Sequence, residues 1–120
     1  MCSMWLTGNL KIWLYSKPTD MRKSIDGLSI VVSEKLEQNP CGSDVFVFYN
    51  TAKDKLKILY YDKNGFCLWY KRLEKGRFLL PKLSGDNSYS LTIEKLRWLL
   101  DGLRIDKLSG NSELCFDTYY

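Results

Sequence analysis

Residues 56–61 and 66–73 are two runs of aliphatic, β-branched and aromatic residues, and only Asp62, Lys63, Asn64 and Gly65 stand between them. Four turn-forming residues leave no room for a crossover, so the runs must lie antiparallel as a β-hairpin, with Gly65 able to take a positive φ. The register stays open at this level. A two-residue Asn64-Gly65 turn pairs Lys57 with Arg72, whereas a type I turn with Gly65 in a bulge shifts the partners. Facing is less sensitive to this choice. Alternation puts Leu56, Ile58 and Tyr60 on one side of the first strand, and Lys55, Lys57, Leu59 and Tyr61 on the other.

The rest of the chain reads around that hairpin. Residues 45–49 (Val-Phe-Val-Phe-Tyr) form an unbroken apolar run too short for a helix, which predicts a central strand. Residues 11–15 predict a first strand with Ile12 and Leu14 on one face and Trp13 and Tyr15 on the other. Pro18 stops it. Thr19 is placed to cap a helix and Asp20 to favour the positive end of its dipole. Within that helix Met21, Ile25, Leu28, Val32 and Leu36 recur as one apolar stripe, and Asn39-Pro40-Cys41-Gly42 closes the element. Gly27 costs a mid-helix position about 1 kcal/mol relative to Ala, which points to close packing there. A polar loop over residues 84–90 precedes a second helix, capped by Thr92, striped by Ile93, Leu96, Leu99, Leu100 and Leu103, and ended by Gly102. A chain of 120 residues suits one domain. The expectation is an α+β fold, a mainly antiparallel sheet of about four to five strands with two packed helices, compact over about residues 9–105 with residues 106–120 free to fray.

Several function classes drop out. The chain has no histidine, which removes the usual general base and metal ligand. Its four cysteines (Cys2, Cys41, Cys67, Cys115) include no CxxC pair, so neither zinc nor any other metal is expected, and free thiols in a reducing cytoplasm are the simplest reading. Phosphate-loop, dinucleotide-turn and nucleophile-elbow motifs are absent, and no cofactor is expected. Asp20 and Asp26 do not suit a nuclease metal pair, because six residues along one helix sets them roughly 120° apart. No apolar run approaches a membrane span and the start lacks an export pattern, so the expected location is cytoplasmic.

Charge is the remaining clue. Residues 53–82 hold nine bases against three acids, while everything else holds nine bases against eleven acids. Such a block attracts phosphate whatever the base sequence, and the interleaved Tyr60, Tyr61, Trp69, Tyr70 and Phe78 offer rings for unpaired bases. The candidate nucleic-acid-binding residues are Arg22, Lys23, Lys55, Lys57, Lys71, Arg72 and Arg77. Solvated lysines that guard a sheet are the plainer alternative. A second class of function is a protein adaptor, in which Tyr61, Trp69 and Tyr70 carry the interface and no DNA is touched.

Three stretches considered together are more specific: Pro18-Thr19-Asp20-Met21-Arg22-Lys23 with Asp26-Gly27-Leu28, then Asp62 with Asn64-Gly65-Phe66-Cys67-Leu68-Trp69-Tyr70-Lys71-Arg72-Leu73, then Gly76-Arg77-Phe78. In order and spacing they resemble the TnpB-type accessory protein, the second open reading frame of insertion-sequence elements of the sixty-six family, over about residues 10–104. Ser24 stands where a glycine is expected, and residues 108–120 lack the basic ending of many relatives. The resemblance implies a small non-catalytic protein encoded beside a larger transposase and needed for efficient transposition. Its implied partners are the DNA of the element ends and the transposase itself.

Overall fold

The computed structural model of the chain describes residues 11–81 and 85–101. Alternation sets the first strand, β1 (Ile12–Tyr15), with Ile12 and Leu14 fully buried on one face and Tyr15 on the other. The chain returns through α1 (Ile25–Glu34) to β2 (Val45–Tyr49), which runs parallel to β1, as a helical crossover permits. Then β3 (Lys55–Asp62) and β4 (Gly65–Arg72) add the antiparallel hairpin, β5 (Ser88–Leu91) pairs antiparallel with β1, and α2 (Ile93–Leu100) follows. The result is one five-stranded sheet in the order β4-β3-β2-β1-β5, mixed but mostly antiparallel. This is the α+β architecture expected from the sequence.

The apolar run of β2 has a direct cause. All five of its residues are buried because the sheet is covered on both sides. Val45, Val47 and Tyr49 pack with Ile12, Leu14, Leu56, Ile58, Phe78 and the α2 residues Leu96 and Leu99. Phe46 and Phe48 face the other way, onto Leu28, Val32 and Leu36 of the α1 stripe, together with Tyr15 and Leu59. Thr92 caps α2 as expected, its hydroxyl accepting from the Lys95 amide at 3.1 Å. Gly102, Leu103 and the tail lie outside the described residues.

Four local expectations are corrected. The first helix starts at Ile25 with Ser24 at its N-cap, not at Thr19: the Thr19 hydroxyl donates to the Lys17 carbonyl at 3.4 Å, and the Thr19 amide donates to the Tyr49 carbonyl at 2.7 Å, which ties this segment to the end of β2. Asp20 is therefore not helical, and its carboxylate accepts from the Arg22 amide at 2.9 Å. The hairpin turns on Lys63-Asn64: Asp62 pairs with Gly65, Lys55 with Arg72 and Lys57 with Tyr70, and the positive φ (57°) falls on Lys63, not Gly65. Within the polar loop expected over residues 84–90, Ser88 begins a strand that runs to Leu91, since Tyr89 and Leu91 alternate with serines and pack on the α2 side. At Gly27 the close neighbour is the stem of Lys23, 3.2 Å from where a Cβ would stand.

Candidate nucleic-acid interface

The hairpin register decides which bases share a surface. Directly paired residues of an antiparallel ladder lie on one face, so Lys55 with Arg72 and Lys57 with Tyr70 stand on the α1 side, next to the buried Leu59. Lys71 pairs with Leu56 and Trp69 with Ile58, which places both on the α2 side. The structure thus separates Lys71 from the other hairpin bases. Its ammonium donates to the Leu100 carbonyl at 2.8 Å, satisfying the last turn of α2 at the negative end of the helix dipole.

On the α1 side the segment between β1 and α1 closes over the hairpin. Lys57 is half-buried and its ammonium donates to the carbonyls of Met21 (2.7 Å) and Lys23 (2.8 Å), while lying 5.4 Å from the centre of the Tyr70 ring. That arrangement fixes Tyr70, which is 48% exposed, beside the loop that carries Arg22 and Lys23. The loops leaving the carboxyl ends of the two parallel strands meet here. Pro18, Thr19, Asp20, Met21 and Arg22 after β1, Asn50, Thr51 and Ala52 after β2, and Lys55 and Tyr70 from the hairpin line an open depression of about 770 Å³. Asn50 shapes the second loop, accepting from the amides of Asp54 and Lys55 and donating to the Asp54 carboxylate. Asn50, Thr51 and Ala52 carried no charge to mark them in the sequence, and their only hint was turn chemistry after a buried strand.

The electrostatics are more balanced than a count of bases suggests. Arg22 grips Asp20 in a two-pronged contact at 2.7–3.1 Å, and these hydrogen bonds, side chain first and then backbone, hold the Asp20 carboxyl down to about 2. Lys55 lies 3.7 Å from Asp54, whose carboxyl is lowered chiefly by the Asn50 hydrogen bond, and Arg72 lies 3.4 Å from Glu74. Among the described residues Lys23, Lys57 and Arg77 have no carboxylate partner within 4 Å. Arg77 follows Gly76, whose φ of 76° suits only glycine comfortably, and precedes Phe78, whose amide donates to the Lys53 carbonyl at 2.6 Å. This loop brings Arg77 to the same end of the sheet as the depression.

The candidate aromatics separate as well. Tyr61 packs edge-on against Phe66 (5.1 Å, 80°) on the α1 side, Trp69 packs partly buried on the α2 side, and only Tyr70 is an open ring. Tyr60 and Phe78 are core residues, 5% and 1% exposed, which removes both as stacking platforms. Among the described residues no group of three acidic or cysteine side chains gathers as a metal site would need.

Against known families, the model of the IS66 Orf2-like proteins (TnpB of IS66) matches residues 10–110. The chain belongs to this family. Two uncharacterized proteins of Sinorhizobium fredii strain NGR234 are similar to it: y4hO, 35% identical over 79% of this chain and 82% of its own length, and y4jC, 33% identical over 78% and 80%. No solved structure matches significantly. As an IS66 Orf2-like protein the chain is an accessory protein of transposition, and no described helix is long and apolar enough to cross a membrane.

Proposed function

We propose that this IS66 Orf2-like protein assists transposition by holding DNA phosphate on its α1-side basic surface, without catalysis of its own, while the transposase acts on the strands. One observation carries this reading. Three segments distant in sequence, the β1–α1 loop, the β3–β4 hairpin and the turn after β4, deliver Arg22, Lys23, Lys55, Lys57, Arg72 and Arg77 to one end of the sheet, beside an open depression. The contact is with phosphate, so little sequence preference is expected. Filter binding of element-end DNA at low salt tests it: the wild type retains DNA, and the Lys23→Ala/Arg77→Ala variant, altered only at exposed side chains, retains less. Absence of retention by the wild type, with transposase still captured after nuclease digestion, would replace this reading by the adaptor.

A further inference from the structure

We infer that the DNA this surface takes is an unpaired strand, with a base stacked on Tyr70. The inference rests on the phosphate-contact reading above and adds the kind of DNA. Its starting point is the shortage of free charge: Arg22, Lys55 and Arg72 each sit within 4 Å of a carboxylate, and Lys71 serves the end of α2 on the opposite face. Of the seven candidate bases only Lys23, Lys57 and Arg77 then remain for counterion release, which leaves room for a second source of affinity.

Tyr70 is that source. It is a large ring left 48% exposed, it lines the depression, and the Lys57 ammonium 5.4 Å from its centre holds it in place. Lys57 is itself pinned by two backbone carbonyls, so the ring is positioned before any ligand arrives. In a duplex the faces of the bases are covered by their neighbours, and nothing there can lie flat on a tyrosine without unstacking. An unpaired base presents a free π-face, and its flanking phosphates meet Lys57 beside the ring and Lys23 on the loop that Lys57 ties there. Apolar wall residues (Pro18, Met21, Ala52) and the polar Asn50 and Thr51 accept any base without a fixed hydrogen-bond code.

The test uses the full chain and fluorescence anisotropy with three labelled probes of equal length: an oligothymidylate, an abasic strand with the same phosphates, and a duplex. The expected order is thymidylate bound about tenfold or more tighter than the abasic strand, as stacking of one base supplies, with the duplex no better than the abasic strand. Tyr70→Ala removes the preference for thymidylate and leaves abasic binding unchanged, while Tyr70→Phe keeps the preference. Equal binding of thymidylate and abasic strand, tighter binding of the duplex, or equal weakening of every probe by Tyr70→Ala overturns the stacking inference while leaving phosphate contact standing. Failure of all three probes to bind overturns both.

Discussion

The salt dependence of binding separates the folded surface from the bare charge count. Of the seven candidate bases three sit against carboxylates and Lys71 stands on the opposite face of the sheet, which leaves Lys23, Lys57 and Arg77. Asp20 stays ionised beside Arg22 near neutral pH, because the Arg22 hydrogen bonds hold its carboxyl down to about 2. For a single strand, log K falls against log salt with a slope of about −0.7 per neutralised phosphate, so three bases give a slope of about −2 and seven would give about −5. Between 50 and 200 mM salt the affinity should then fall about twentyfold, not about a thousandfold. Anisotropy titrations of an oligothymidylate at several salt concentrations measure it. Glu74→Gln frees Arg72 and should steepen the slope by about 0.7, whereas Lys71→Ala should leave it unchanged. A wild-type slope near −5, or a Lys71 variant that flattens it, would refute the assignment of faces.

Three further outcomes follow from the geometry. Arg22→Ala should let the Asp20 carboxyl rise from about 2 towards its ordinary 3.8, read by carboxyl-carbon NMR; since the folded value is the lowered one, the Arg22–Asp20 contribution is fully present above about pH 4 and is lost as pH falls through about 2. Leu28→Ala and Leu96→Ala should each cost about 2–5 kcal/mol in urea unfolding, and because they lie on opposite faces of the sheet their costs should add within about 0.5 kcal/mol. Lys71→Ala should cost about 1 kcal/mol by leaving the Leu100 carbonyl without its charged donor, with DNA binding intact.

Much of the fold was legible because burial writes itself into periodicity. The unbroken apolar run of β2 required cover on both faces, and α1 and α2 supply it from residues whose spacing was visible beforehand. The start of α1 was not legible. Thr19-Asp20 satisfies the local rules for a helix cap, but this segment is tethered to the end of β2 by the Thr19 amide bonded to the Tyr49 carbonyl, a partner thirty residues away that no local rule contains. The strand β5 was missed for the opposite reason. Four residues of Ser-Tyr-Ser-Leu alternate correctly but are too few to outweigh the polar loop around them, and only pairing with β1 decides their state.

The site illustrates how a charge count differs from a charged surface. Neighbouring residues on a strand point to opposite sides, so Lys71 and Arg72 could never have served one face. That much was available from alternation alone. Which of the two joins Lys55 and Lys57 depended on the turn: closing the hairpin at Asp62 and Gly65 pairs Lys55 with Arg72, and a one-residue slip would have sent Lys71 there instead. The Lys71-Arg72 pair thereby divides into two tasks, one base fastening α2 to the sheet and the other standing opposite Lys55 at the edge of the depression, on a strand whose Tyr70 is the exposed ring. A substitution that shifts the register would therefore exchange these tasks, loosening α2 and turning Tyr70 away from the α1 side at once, so stability and DNA binding should change together for the turn residues and separately for the bases.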